Sequence, residues 1–222
     1  MCHDASDGEQ LIDAERIGAM RARISMRRTR RTAQAAVPGD TVSLCAVDAD
    51  RMAVSMLQSN FVGWGAMLFL PRLGIALHNR GFSFSLQPGH PAEYGPGRRP
   101  PHTLAPVLVT DANGSVEAAL ATRGGHLQPQ VLLQLLARVY MSSEPPAQAV
   151  AAGRWALGGD QVLLEGHAPE KWFDGLIARG HRVLRLDPFQ EAFGQAQLIV
   201  VEGDHLAAAS DPRSVTWAAA PL

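Results

Sequence analysis

The sequence predicts an α+β chain in which helices pack on antiparallel sheets. Three observations carry that expectation. Two pairs of period-two segments, within 41–57 and 107–121, are each joined by a short polar turn and read as hairpins. A wide apolar face, Val131, Leu132, Leu135, Leu136 and Val139, recurs at helical spacing. The order is hairpin, hairpin, helices and then strands again, which is unlike the strand–helix alternation of a βαβ array.

Taken in order, residues 9–25 read as helix, with Ile12, Ile17, Met20 and Ile24 near one stripe and Asp13 as N-cap, Arg16 completing the turn. Residues 27–31 read RRTRR. No aromatic residues interleave them and no second basic face matches them, so a solvated loop is expected there rather than a nucleic-acid patch. From Thr41 the period is two: Val42, Leu44 and Ala46 face one way, and Thr41, Ser43, Cys45 and Val47 the other. Asp48-Ala49-Asp50 marks the turn and 52–57 the returning strand. Residues 86–106 hold six prolines and three glycines and are expected to form a long irregular loop, of a kind that often covers or carries a site. The second hairpin runs 107–110 and 116–121 around Asp111-Ala112-Asn113-Gly114. Gly124 and Gly125 follow directly, and Pro129 falls in the first turn of the next helix. Further helices are expected at 147–155 and 169–179, the latter stopped by Gly180, and strands at 181–186, 195–201 and 205–209.

Composition narrows the classes. The chain has 222 residues, is 46% hydrophobic and carries a formal charge of −1, which argues against disorder and gives no whole-chain reason for a nucleic-acid partner. Two cysteines, Cys2 and Cys45, make no disulfide framework, and Cys45 reads as packing. The eight histidines form no metal-ligand pair, and there is no phosphate loop and no serine-hydrolase elbow, so no metal or cofactor is expected. No secretory signal and no run of roughly 18 apolar residues is visible, so the chain is expected to be cytoplasmic and without a membrane partner.

Two features could carry chemistry. Thr41 opens a strand directly after Asp40. A threonine hydroxyl is a poor nucleophile, but if Thr41 began a chain, its α-amine, with a pKa near ~8, could take the hydroxyl proton. The ordinary alternative is a strand-starting threonine. Gly124-Gly125 is either a strand-to-helix turn that needs glycine, or a nest of N–H groups that would hold an oxyanion. The residue pattern leaves both pairs of readings open.

Seven stretches, "GDTVSLCAVDAD", "AVSMLQSN", "GIALHNRGFSFSLQPGHP", "PGRRPPHTLAP", "RGGHLQPQVLLQLL", "ARGHRV" and "SDPR", occur in the order and spacing of one family. From Gly39 onward the chain resembles the small subunit of the γ-glutamyltranspeptidase family, in its acylase-like bacterial branch, and residues 11–24 resemble the tail of the large subunit. The resemblance divides the chain into 1–40, a large-subunit tail and processing linker, and 41–222, the catalytic small-subunit region. It implies the N-terminal-nucleophile αββα four-layer sandwich, incomplete because most of the large subunit is absent. It also implies a precursor that cleaves itself between Asp40 and Thr41. Thr41 would then attack a γ-glutamyl or other acyl amide, such as glutathione, and pass the acyl group to water or an amine. Its freed α-amine would be the base, Gly124 and Gly125 the oxyanion hole, and Ser59 a support for the α-amine.

The acyl pocket departs from that pattern. Ser83 stands where γ-glutamyl enzymes carry an aspartate for the substrate's α-amino group. His102-Thr103 replaces a serine pair near its α-carboxylate. A γ-glutamyl head group and a different acyl group therefore both stay open. Other departures are Arg51-Met52 for a turn Gly-Asn, "WGAM" at 64–67, Arg72 for a glycine, Arg123 before the glycine pair and a terminal "AAAPL". They support two alternatives: a truncated, non-catalytic remnant that acts at most in binding, and a small-molecule module using the Gly124-Gly125 nest. The expected partners are a small amide substrate and a large-subunit-like chain if one is supplied separately. With that region absent, exposed apolar surface and poor stability in isolation are expected.

Overall fold

The computed structural model describes residues 8–29, 40–214 and 219–220. The N-terminal helical segment is two pieces, α1 (Gly8–Leu11) and α2 (Ala14–Ala22), split at Asp13, whose carboxylate accepts from the Arg16 N–H at 2.9 Å. The cap is where the sequence places it. The stripe of Ile12, Ile17, Met20 and Ile24 faces solvent throughout. Beyond α2 the chain touches the body near Arg179, which takes the Thr29 N–H on its carbonyl and donates its Nε to Met26 O.

Two strands follow, β1 (Asp40–Val47) and β2 (Ala53–Phe61), paired antiparallel with a bulge between Asp40 and Thr41. A small excursion carries β3 (Phe69–Leu70) and β4 (Ile75–Ala76). After the proline-rich loop, which holds one isolated bridge from Ser85 to Glu93, come β5 (Val107–Thr110), β6 (Val116–Arg123), α3 (Gln128–Leu136) and α4 (Pro146–Ala151). The chain continues through β7 (Trp155–Gly158), β8 (Gln161–Glu165), α5 (Glu170–Ala178), β9 (Arg182–Leu186), β10 (Gln195–Glu202) and β11 (His205–Ser210).

The central sheet is antiparallel, ordered β11-β10-β6-β5. Its middle strand is small and apolar, and Ala118, Ala119, Leu120 and Ala121 are fully buried because both faces are covered. One face packs α3 and α4 through Val131, Leu132, Leu135 and Val150 against Leu120, Leu198 and Val200. The other receives the β1–β2 hairpin: Ser55 Oγ donates to Leu120 O at 2.6 Å and accepts from Val107 N at 3.2 Å. Hairpin, sheet and helices thus form three of the four layers of an αββα sandwich.

Two expectations need correction. Residues 147–155 are not one helix: α4 stops at Ala151, and Trp155 opens β7. Gly153 runs so close to Ala168 that an added Cβ would lie 2.6 Å from its Cα, and the chain must extend there. The β7–β8 pair was also not expected, although Gly159-Asp160 is a two-residue hairpin turn. Nor is the chain free of βαβ units, since β8 and β9 pair in parallel across α5, with Leu164, Ala168 and Phe173 as their small core.

The two faces of the β1–β2 hairpin differ sharply. The inward set is the one that the alternation assigns to Thr41, Ser43, Cys45 and Val47. Burial, only partly countered by Ser55, raises the Cys45 thiol to about 11. At pH 8 its thiolate fraction is about a hundredfold below that of a free cysteine, so native-state alkylation of Cys45, mapped by peptide mass, is expected to be slower by about that factor. Labelling as fast as in urea would contradict this packing.

The outward face exposes Val42, Leu44, Val54 and Met56, with Leu44 opposite Met56, and among the described residues β1 and β2 pair only with each other. Trp64, Met67, Leu68, Phe69 and Leu73, in the segment after β2, are exposed as well. Replacing Leu44 by Lys together with Met56 by Glu is expected to reduce self-association in sedimentation velocity. Stability should change by less than about 1 kcal/mol, because an exposed cross-strand pair is exchanged for a charge-complementary one.

Candidate functional site

Tie points along the hairpin fix which end of the sandwich Thr41 occupies. At the β1–β2 turn, Arg51 donates to Gly203 O at 2.9 Å, between β10 and β11. Midway, Cys45 Sγ lies 3.9 Å from Gln197 O. Following β1 back to its start leads toward Gln195, which pairs with Arg123 at the end of β6. Thr41 therefore sits at the end of the stacked sheets where Gly124 and Gly125 follow. Thr41 is 9% exposed, and the bulge falls on the Asp40–Thr41 junction itself. Bulges of this kind re-aim a side chain at the rim of a sheet.

The glycine pair starts a helical stretch. Gly124 has φ 137° and Gly125 φ 55°, and a 3₁₀ turn over Gly125–Leu127 runs into α3. Amides at such a start have no acceptor within their own helix. Gly194, which sequence reasoning overlooked, packs against this turn: its φ is 80°, and a Cβ on it would lie 2.8 Å from Arg123 O. Its only sequence signal is a glycine directly before a strand. Arg123 pairs with Glu191, which ties the turn to the Gly194 loop.

Ser59 stands opposite Thr41 in the ladder, and its Oγ accepts the Phe61 N–H at 2.9 Å. Phe61 is buried and held at φ 82°, a conformation costly for a bulky residue. The Arg80 guanidinium lies 5.3 Å from the Phe61 ring centroid. Asn79 sets that approach. Its side chain donates to Val62 O and Gly65 O and accepts from Val62 N, while its backbone N–H donates to Asn60 O.

Of the three residues expected to line an acyl pocket, Ser83 lies near Arg80 in the chain and His102, next to Thr103, lies in its field. Ser83 ends the 3₁₀ turn Arg80–Ser83, and Thr103 is buried beside the half-buried His102. Gln128, at the start of α3, takes the Ala105 N–H on its Oε1 at 3.0 Å and so fixes this segment against the glycine turn. Burial, and then the nearby Arg80 charge, push the His102 imidazolium pKa below its usual range, so His102 is neutral near pH 7. Burial likewise lowers Arg80. The side chain of Asp40 lies outside the described residues.

The family described as gamma-glutamyltranspeptidase matches residues 4–220. The chain belongs to the γ-glutamyltranspeptidase family.

Within that family it is 37% identical over 184 residues to the oxamate amidohydrolase proenzyme of Klebsiella pneumoniae, covering 80% of this chain and 35% of that relative. Among solved structures it resembles the cephalosporin acylase from Bacillus halodurans, at TM-score 0.80 and 33% identity, over 94% of this chain and 38% of the other. It also resembles the gamma-glutamyltranspeptidase from Pseudomonas nitroreducens, at TM-score 0.69 and 28% identity, over 81% of this chain and 99% of that one. The chain thus spans about a third of the length of the curated relative. The fold is that of the γ-glutamyltranspeptidase N-terminal-nucleophile hydrolases, present in part, and its relatives are hydrolases and transferases of the acylase-like branch. Among the described residues no helix is long and apolar enough to cross a membrane.

Proposed function

We propose that this γ-glutamyltranspeptidase-family chain is the nucleophile-bearing part of an amidohydrolase or acyltransferase. In this reading the peptide bond between Asp40 and Thr41 is cleaved by the chain itself: Thr41 Oγ1 attacks the Asp40 carbonyl, the peptide nitrogen leaves as an amine, and water hydrolyses the resulting ester. The new α-amine then accepts the Thr41 hydroxyl proton as Oγ1 attacks a substrate amide. The tetrahedral oxyanion is held by the Gly124 and Gly125 N–H groups, and the leaving amine departs with the proton. Water or an acceptor amine then takes the acyl group from Thr41.

The observation that carries this reading is the common placement of the Thr41 bulge and the glycine turn at one end of the sandwich. The exposed outer face of β1–β2, together with the third of a relative's length that the chain covers, supports the large-subunit region as the partner on that face. The acyl donor is an amide whose head group meets Ser83, His102 and Thr103. Intact mass and N-terminal sequencing of the purified protein test the reading. A chain beginning Thr-Val-Ser-Leu is expected, and a preparation that hydrolyses amides with only the uncleaved chain present would overturn it.

A further inference from the structure

Among the described residues Arg80 is a buried cation without an anion. It is 6% exposed, and among the described residues neither of its terminal guanidinium nitrogens has a hydrogen-bond partner and no carboxylate pairs with it. Such a charge is strongly unfavourable unless something compensates it. Two further buried polar atoms beside it are also unmatched, Ser83 Oγ and His102 Nδ1. Arg80 and Ser83 are three residues apart in a 3₁₀ turn, so their side chains leave on the same side. His102 lies within the field of the Arg80 charge. Through the Phe61 ring the guanidinium is anchored at the ladder pair next to Thr41, since Phe61 pairs with Asp40 and Ser59 with Thr41.

We propose that Arg80, flanked by Ser83 and His102, is the specificity residue of the acyl subsite and pairs with a carboxylate on the acyl group, so that the substrates are half-amides of short dicarboxylic acids. The proposal rests on the acyl-transfer reading of Thr41. A guanidinium with both terminal nitrogens unoccupied matches a carboxylate in two parallel hydrogen bonds. The same cation repels the ammonium of a γ-glutamyl head group, and Ser83 offers that ammonium no countercharge.

The test is calorimetric titration of the full chain carrying Thr41→Ala, which leaves the amide intact. The ligands are oxamate, its neutral counterpart pyruvamide, L-glutamine and inorganic phosphate. Oxamate is expected to bind at least about tenfold more tightly than pyruvamide or glutamine, the scale of a charge-assisted pair. Arg80→Gln is expected to erase that preference and to raise the unfolding midpoint, because an uncompensated buried charge has gone, and Arg80→Lys to retain only part of the preference. Oxamate binding that is undetectable or unchanged by Arg80→Gln, phosphate binding as tight as oxamate, or a lower midpoint in Arg80→Gln would each overturn the assignment. N-terminal sequencing of the wild-type chain separates the two ideas. Arg80-dependent oxamate binding without a Thr41 terminus removes the acyl-transfer reading and leaves the subsite. A Thr41 terminus with amide turnover indifferent to Arg80→Gln removes the subsite and leaves the reading.

Discussion

Thr41→Ala is expected to remain one uncleaved chain and to lose amide turnover by about a million-fold, the scale on which enzymes lose rate when a covalent nucleophile is deleted. That is about 8 kcal/mol of transition-state stabilisation at 1.36 kcal/mol per decade. Two losses coincide, because in the proposed mechanism the hydroxyl that attacks the substrate is also the one that opens the Asp40–Thr41 bond. Thr41→Ser separates them. It keeps an oxygen and a potential α-amine but drops the methyl that restricts χ1, so slowed cleavage followed by measurable turnover is expected. The readouts are the mass of the purified chain and the release of ammonia or amine from an amide. Alanine at 41 is also expected to leave the fold in place, since Thr41 enters the described network through its backbone and its pairing with Ser59. Equal cleavage in wild type and Thr41→Ala would end the mechanism at once.

How much of this was legible in the sequence depends on the distance over which each signal acts. The hairpins at 41–57 and 107–121 were legible because alternation and turn chemistry are local, and Asp111 shows it: its carboxylate takes the N–H groups of Asn113 and Ser115 inside the turn. The strained turn at Arg51, whose φ is 67°, was legible only through the family resemblance, as a departure from a turn Gly-Asn. What offsets that strain was not, because Gly203 O, the acceptor for the Arg51 side chain, lies some 150 residues away in sequence. The β7 strand was lost because "AVAAGRWALGG" reads as helix up to a glycine, while the reason for extension is contact with Ala168. Arg80 was invisible as a site residue. An arginine in "HNRGF" looks like surface, and only the fold shows it buried over Phe61 with its head group unmatched. Thr41 and the glycine pair stood out in the residue pattern with two readings each, the family resemblance supplied their expected roles and the pocket residues, and the structure adds the shared end of the sandwich for Thr41 and the glycines.

Asp211→Ala is expected to cost about 3–5 kcal/mol, a large share of the stability of a typical domain. Asp211 belongs to a buried group of four charges that the sequence shows only as scattered letters. Its Oδ2 accepts from Arg154 at 2.5 Å and from Ala196 N at 2.9 Å, and its Oδ1 accepts from Arg213 Nη1 and N, each at 3.0 Å. Glu165 closes the set, paired with Arg213 and taking the Arg154 N–H at 2.8 Å. Burial lowers the Arg154 pKa to about 10 even with Asp211 opposing, so this charge stays in the interior only because a carboxylate faces it. Removing Asp211 leaves two guanidinium groups against one carboxylate in a space closed to water. Urea unfolding should show the loss as a lower midpoint with an unchanged slope. Arg154→Met combined with Asp211→Leu should cost less than Asp211→Ala alone, because that pair leaves Arg213 and Glu165 balanced. A cost below about 1 kcal/mol for Asp211→Ala would mean that water reaches the group and that the four charges do not act together. The consequence extends to the chemistry. Arg154 Nη1 donates to Phe193 O at 3.1 Å and Gly194 O at 3.2 Å, and Gly194 lies against the Gly124 turn. Loosening this cluster therefore frees the loop that backs the proposed oxyanion amides, and turnover in Asp211→Ala should fall even below its unfolding midpoint.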